Sequence, residues 1–237
     1  MISVCIASYN GEKYIKAQLQ SILKQLGDDD EIIISDDKSI DKTRSIIQSF
    51  CDSRISLIDG PQLGAMKNFE NALLHSKGEY IFLSDQDDVW LDDKISLMLA
   101  NLERFDLVLS DCRVVDSNLN VINPSYFSVL RPRTGVVNNI IRNHYLGCCM
   151  AFKRSVLKYA LPFPNNVIMH DIWIGLCADA FGKVGIINQP LMLYRRHDNT
   201  VSFAAGVSKN SLSFMVKYRF NVSRALLGRI INRKFIK

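Results

Sequence analysis

Four short apolar runs, at 2–7 (ISVCIA), 31–35 (EIIIS), 55–58 (ISLI) and 80–83 (YIFL), alternate with stretches whose apolar residues recur at helical spacing. No other feature narrows the fold as far. Between the first two runs Tyr14, Ile15, Leu19, Ile22, Leu23 and Leu26 line one helical face, and Gly27 follows as a stop. Thr43, Ile46, Ile47 and Phe50 repeat the pattern after Asp41. A third helix is expected from about Ala65 to His75, and a fourth from about Asp92 through Ile95, Leu99 and Leu102, before a strand at 107–109. Strands that alternate with helices assemble into a parallel sheet through right-handed crossovers. The expectation is a Rossmann-like α/β fold, a mostly parallel central sheet flanked by helices. Neither a G-x-G-x-x-G nor a P-loop lysine occurs in 1–110, so a nucleotide bound here is held by other means.

The run at 80–83 ends at three carboxylates, Asp85, Asp87 and Asp88, in the segment IFLSDQDDVW. Acids packed this densely raise one another's pKa unless a cation or strong donors sit among them. Placed at i and i+2 beyond a strand's carboxyl end, two of them face one side of its tip, where open α/β sheets bind ligands. Oxygen donors alone suit a hard divalent ion, Mg2+ or Mn2+, shared with substrate phosphates. The same residues also fit a solvated acidic turn.

Composition sets outer limits. With 237 residues, 48% hydrophobic and 22% charged, the chain is long enough for a substantial core and is not of the disordered class. No run approaches the ~20 apolar residues of a membrane-spanning helix. Nothing basic precedes the apolar opening run, so a cytosolic chain is expected. The six cysteines, Cys5, Cys51, Cys112, Cys148, Cys149 and Cys177, show no paired metal spacing and read as reduced small hydrophobes. The net charge of +5 is carried by the end of the chain: residues 199–237 hold eight Lys and Arg and no acid, leaving 21 basic against 24 acidic residues before them. A body with that balance gives no reason to expect nucleic acid as a partner.

Beyond 110 the pattern changes. Residues 114–142 are rich in Asn, Pro and Ser and read as a connecting segment or mobile loop over a site. A strand is expected at 145–152 (YLGCCMAF), with the adjacent Cys148 and Cys149 on its opposite faces, then a short helix from Ser155. His170, Asp171 and Trp173 open an apolar helix that ends at Gly182, and two closing strands are expected at 184–187 and 190–194.

Taken in order, ASYNGE (7–12), IIISDDKSIDKT (32–43), LGAMKNFENAL (63–73), GEYIFLSDQDDVW (78–90), HDIW (170–173) and YRRHDNTVS (194–202) resemble the family 2 glycosyltransferases of GT-A fold. Among these the chain is similar to bacterial O-antigen and capsule enzymes, especially a rhamnosyltransferase-like group with DQDD and HD motifs. The resemblance spans about 1–203. It implies transfer of a sugar, with inversion, from a nucleoside diphosphate donor (dTDP-rhamnose or a UDP-hexose) to a hydroxyl of a lipid-linked saccharide, with Mn2+ or Mg2+ as cofactor. It also divides the chain into a nucleotide-sugar half at 1–110, an acceptor half at 111–203 and a tail at 204–237.

Carried over by position, the resemblance implies that Ala7, Tyr9 and Asp37 meet the base and ribose, while Asp36 holds the turn beside them. Asp85 and Asp87 take the metal positions, and Asp88 serves the ribose or its own loop. Asp171 matches the catalytic base, although an Asp before an apolar helix equally fits a helix cap. His197 is a third metal ligand, a diphosphate contact or a surface histidine. Arg195 and Arg196 suit phosphate, and Lys67 reaches the diphosphate or stays on its helix surface. Gly147, Cys148, His170 and Trp173 fall on the acceptor side, where a buried strand would explain Gly147 and Cys148 equally well.

In the tail, Phe214, Val216, Tyr218, Phe220, Val222, Leu226, Leu227, Ile230 and Ile231 interleave with Lys217, Arg219, Arg224, Arg229 and Arg233. A basic amphipathic helix of this kind can lie in an anionic leaflet, here the inner face of the cytoplasmic membrane, or pack on the domain or in a homodimer interface. Two other functions compete with transfer: a nucleotidyltransferase, which would want a glycine-rich loop with a following lysine, and a non-catalytic sugar-nucleotide or polysaccharide binder of the same fold.

Overall fold

Runs buried on both faces pair as parallel strands. In the computed structural model, which describes residues 1–167, 169–196 and 211–232, β1 (Ile2–Ser8) lies between β2 (Glu31–Asp36) and β4 (Tyr80–Ser84), and β2 pairs onward with β3 (Ile55–Asp59), all parallel. Val4, Cys5, Ile6, Ile32, Ile34, Ile81, Phe82 and Leu83 are fully enclosed, as a sheet covered by helices on both sides requires. The crossovers are α1 (Ile15–Leu23), α2 (Thr43–Gln48) and α3 (Ala65–His75). Ile15, Leu19 and Ile22 of α1 and Phe69, Ala72 and Leu73 of α3 give the apolar stripes that seal the sheet.

The second half extends the same sheet. After β5 (Val89–Trp90) and α4 (Lys94–Leu102) come β6 (Leu107–Val115), β7 (Val121–Asn123), α5 (Tyr126–Leu130), α6 (Val136–Ile141), β8 (Met150–Lys153), α7 (Leu157–Ala160), α8 (His170–Phe181), β9 (Val184–Arg195) and α9 (Leu212–Asn232). The strand order is β3-β2-β1-β4-β8-β6-β9-β5, with β7 on β6. β8 runs antiparallel between β4 and β6, and β6 and β9 are parallel.

Three expectations are corrected. The segment 114–142 is folded rather than loose: β6 continues to Val115, and Asp111 accepts from Ser125 Oγ (2.6 Å) and Phe127 N (2.9 Å), which anchors α5. Buried Asn139 donates to the carbonyls of Arg133 and Gly135 and to Asp179. Polar residues that read as loop are here the ties of the structure. The strand expected at 145–152 begins only at Met150, because Gly147–Cys149 form a 3-10 turn in which Cys149 N donates back to Leu146 O (2.9 Å). Cys148 and Cys149 therefore do not alternate across a strand, and both are fully buried. The two closing strands are one, β9. Register shifts against β6 near Ser110 and Asp111 accommodate Pro190, which has no N–H to offer a regular ladder.

α9 lies against α6 and α8 and buries Val222 and Leu226. Its Arg219 and Arg229 donate to the carbonyls of Ile141 and Pro162. No helix among the described residues is long and apolar enough to cross a membrane.

One close approach at the start of β4 has no room for a side chain. Gly78 N donates to Ser3 Oγ (2.7 Å), and a Cβ on Gly78 would fall 2.5 Å from Ser3 N and 2.6 Å from Ile2 C, backbone that cannot yield. Gly78→Ala is expected to lower unfolding free energy by about 1–3 kcal/mol. A shifted urea midpoint at unchanged slope will check it.

Candidate active site

The carboxyl ends of β1, β2 and β4 meet at one edge because their registers align: Ser8 faces Asp36, and Ile6 faces Ser84. On the β2 side, burial by itself would raise the Asp36 carboxyl, but hydrogen bonds from Ser39, Ser8 and Arg44 outweigh it and hold the group below its ordinary value. Asp36 is thus the anchor of the turn. Asp37 accepts from the backbone N–H groups of Gln62 (2.7 Å) and Gly64 (3.1 Å), tying the loop after β3 to the same edge. Lys38, where a small residue would sit more easily, adopts a left-handed φ of 60°. Ala7 is partly buried, and Tyr9 stands 56% exposed over the edge.

Gln86, a residue not singled out from sequence, clips the two loops together. Its Oε1 accepts from Tyr9 N and its Nε2 donates to Tyr9 O, both at 2.9 Å. Its side-chain amide does what a strand backbone would do.

Around it the acids are set at different depths. Asp88 is 1% exposed; Oδ1 accepts from Arg195 N (2.9 Å), while the buried Oδ2 has no hydrogen-bond partner. Burial, and then the charges of Asp87 and Asp85, push the Asp88 carboxyl well above its usual range. Asp85 is pushed up to about 7 by desolvation, then by Asp87 and Asp171. Donor atoms of Asp85, Asp88 and Cys148 all lie within 4.8 Å of one another. Such residues fit a divalent cation: acids that repel, one orphaned buried oxygen, and donors spaced for a single ion.

Near Gly147, Asp171 opens α8 at 4% exposure and accepts from Ile172 N (2.7 Å). Burial raises its carboxyl to about 6, against backbone hydrogen bonds that pull it down. The helix cap position is Met169, and Met169 O accepts from Trp173 N at 3.4 Å, so the alternative of Asp171 as cap does not hold. His170 stacks on Phe69 with ring centroids 4.0 Å apart. Burial drives its ring to about 3, and its Nε2 is buried without a partner. Gly147 leaves space for it, since a Cβ there would stand 2.7 Å from His170 Nε2. Burial raises the phenol of Tyr218 of α9, and the nearby Asp171 charge adds a smaller push in the same direction; its hydroxyl is also buried and unpaired.

A sheet edge with its loops tied together, clustered acids and a buried carboxylate whose charge reaches Asp85 form one constellation, and the family profile "Glycosyl transferase family 2" matches residues 3–160. The chain belongs to glycosyl transferase family 2. The dTDP-rhamnosyl transferase RfbG of Shigella flexneri is 30% identical over 235 residues, covering 90% of this chain and 77% of its own length. Escherichia coli WfgD, a UDP-Glc:alpha-D-GlcNAc-diphosphoundecaprenol beta-1,3-glucosyltransferase, is 28% identical over 184 residues, covering 76% and 70%. Among solved structures, S. aureus TarS with UDP-GlcNAc superposes with TM-score 0.73 at 19% identity, over 98% of this chain and 66% of that one. The mannosyltransferase PcManGT of Pyrobaculum calidifontis, with GDP-Man and Mn2+, gives 0.63 at 18%, over 97% and 73%. These two show the GT-A fold.

Within this family 2 glycosyltransferase several expected residues are engaged elsewhere. Trp173 is not at an acceptor surface: it is wholly enclosed, and its Nε1 donates to Ala160 O (2.8 Å), as a large aromatic at the centre of an apolar helix must. Arg195 is 4% exposed. It donates to the carbonyls of Asp87 (2.7 Å) and Ser117 (2.6 Å) and lies over the Tyr14 ring, bracing the acid loop instead of facing phosphate. Lys67 pairs with Glu70 Oε2 at 2.5 Å. Arg196 is half-buried, with its N–H on Val115 O. His197 lies outside the described residues.

The Asp171 value carries a stability cost of definite sign. Its folded pKa of about 6 exceeds the unfolded 3.8, so its contribution is fully present below pH 4 and is lost as pH rises through 6. Asp171→Asn is expected to gain roughly 2–3 kcal/mol over the parent at pH 8 and nothing at pH 4. Denaturation series at the two pH values measure it.

Proposed function

We propose that the chain is an inverting, metal-dependent glycosyltransferase that moves a sugar from dTDP-rhamnose or a UDP-hexose to a hydroxyl of a lipid-linked saccharide in bacterial surface polysaccharide synthesis. One observation carries the reading: Asp171, from a distant segment, is brought beside Gly147, where an added Cβ would stand 3.6 Å from Asp171 Cβ, and Gly147 adjoins Cys148, whose sulfur clusters with Asp85 and Asp88. Inversion demands two such groups on opposite sides of the sugar. The relatives support the substrates, since the name of RfbG specifies a dTDP-rhamnosyl donor and that of WfgD a diphosphoundecaprenol-linked acceptor.

Under this proposal the loop after β2 and Tyr9 seat the base and ribose, with Asp37 oriented by Gln62 and Gly64. Asp85 and Asp87, the metal positions that the resemblance implies, hold the cation, and Asp88 joins them through its cluster with Asp85 and its orphaned Oδ2. When bound, that ion supplies positive charge to the leaving diphosphate. Asp171 takes the proton of the acceptor hydroxyl as its oxygen attacks the anomeric carbon. A carboxylate at about 6 is a stronger base than an ordinary one yet still ionised near neutrality. His170 Nε2 and Tyr218 hydroxyl, both buried and unpaired, offer hydrogen bonds to the incoming saccharide. The division into donor half (1–110), acceptor half (111–203) and tail remains part of this proposal.

Asp171→Asn is expected to lower transfer by about 10²- to 10⁴-fold while donor and cation still bind. A thermal-shift panel of sugar nucleotides, with and without Mn2+, names the donor, because a ligand at 100 times its Kd adds about 2.7 kcal/mol. Undiminished turnover in Asp171→Asn would falsify the assignment of the base.

We further propose that α9 seats the enzyme on an anionic membrane surface. At ~100° per residue, Val216, Phe220, Leu227 and Ile231 share about 60° of arc, on a different side from buried Val222 and Leu226. All four are exposed, as are Lys217 and Arg224 along the border of the stripe. Apolar side chains flanked by cations complement an anionic leaflet, at ~1 kcal/mol per basic residue. The chain should float with phosphatidylglycerol vesicles at low salt and not with phosphatidylcholine, and Phe220→Ser with Leu227→Ser should abolish it. Equal indifference to both vesicles, or a dimer in solution that the double variant dissociates, would overturn the membrane seat.

A further inference from the structure

The cluster at the end of β4 contains a donor that an oxygen-only cation site does not have. β4 and β8 pair antiparallel, with Tyr80 opposite Lys153, Ile81 opposite Phe152 and Phe82 opposite Ala151. Three further steps of that register bring Asp85 opposite Cys148. The 3-10 turn at Gly147–Cys149 falls at this point, so Cys148 reaches the acid cluster instead of continuing a strand. Its backbone is fixed from below. Lys94, fully buried, donates its Nζ to Cys148 O (2.7 Å) and lies against Met192 Sδ (3.3 Å) and the Trp90 ring (4.8 Å).

Cys148 Sγ and carboxylate oxygens of Asp85 and Asp88 lie mutually within 4.8 Å. Ligand bonds of about 2.0–2.3 Å to one ion span such a triangle after small side-chain rotations. Independently, Asp88 Oδ2 is buried in this cluster with no hydrogen-bond partner. An orphaned carboxylate oxygen beside a second carboxylate is a place for a cation, which would displace the thiol proton that Cys148 now shares with Asp85.

We propose that Cys148 is a thiolate ligand of the donor-site cation, and that Asp85, Asp88 and Cys148 together favour thiophilic divalent ions such as Co2+, Zn2+ and Cd2+ over Mg2+. This rests on the reading of that cluster as the cation site. Binding exchanges the thiol proton for the metal, and the proton leaves to solvent, as for any coordinated cysteine. A sulfur ligand confers the preference because Mg2+ is a hard ion that keeps oxygen and water around it, whereas thiolate suits softer ions.

The test uses the chain carrying Cys51→Ser, since Cys51 is the exposed cysteine. Metal-free protein is titrated with Co2+ or Cd2+, reading the sulfur-to-metal charge-transfer band, and with Mg2+ and Mn2+ by calorimetry. The expected result is a band that Cys148→Ser abolishes and Cys149→Ser retains. Cys148→Ser should weaken Cd2+ by about tenfold or more and leave Mg2+ nearly unchanged. Should Cys148→Ser fail to fold, the parent alone decides, because excess Mn2+ must bleach the band if the two ions share one seat. Mg2+ or Mn2+ binding with no band, or a band indifferent to both Cys148→Ser and Mn2+, overturns the thiolate ligand and leaves the cation site standing. No binding by any of the four ions overturns both.

Discussion

Everything near the edge of the sheet follows from enclosing carboxylates at the tip of a central strand. Asp88 is almost fully buried, and Asp85 and Asp87 stand close enough to raise it. Left to themselves these groups would protonate or drive the loop open. The surrounding structure resists opening without neutralising them directly. Arg195 gives its backbone N–H to Asp88 and its guanidinium to the Asp87 and Ser117 carbonyls, and Lys94 gives its ammonium to the Cys148 carbonyl. Two cations within reach of the acids are thus bound to main-chain oxygens, holding the loop's shape while the orphaned Asp88 oxygen keeps its demand for charge. A site that stores unmet electrostatic need is suited to a ligand that brings the charge with it.

The same principle explains why so many expected ligands turn out to be supports. A strand end that presents clustered acids cannot also be held in shape by them alone. Asp36 is therefore enclosed by Ser8, Ser39 and Arg44, and Gln86 locks the β1 loop to the acid loop through both atoms of its amide. Asp37 remains at the surface of that frame, oriented by two backbone donors. Rigidity sits one layer beneath chemistry.

How much of this could be read in the residues depends on the range of the interaction that decides each feature. The first four strands and their helices were legible because periodic burial is a local signal, and the acids at the end of β4 were legible because they interrupt it abruptly. Cys148 was not, since its place beside Asp85 comes from an antiparallel register between segments some sixty residues apart. Residues 114–142 misled for a related reason: Asp111 and Asn139 hold that region through polar bonds to distant partners, and polarity without period looks like loop. Arg195 and Trp173 show the limit of residue type as evidence. A guanidinium suits phosphate and a carbonyl equally, and an indole can line a pocket or fill a core; only burial and partners separate the uses.

The C-terminal helix draws a different consequence from these facts. By residue pattern α9 could have lain free in a leaflet or packed on the body, and its two faces let those alternatives coexist. Val222 and Leu226 face the body while Val216, Phe220, Leu227 and Ile231 face away. The docked face also carries Tyr218 to within electrostatic range of Asp171, so the helix forms part of the wall around the carboxylate proposed as base. If α9 rests on a membrane as proposed, a helix with lipid on one side and the wall around Asp171 on the other would set the depth of that carboxylate relative to the lipid surface. For an acceptor carried on a lipid diphosphate, that depth decides which hydroxyl can reach Asp171. The tail would then act on regiochemistry as well as on location, through nothing more than the roughly 10 Å diameter of an α-helix.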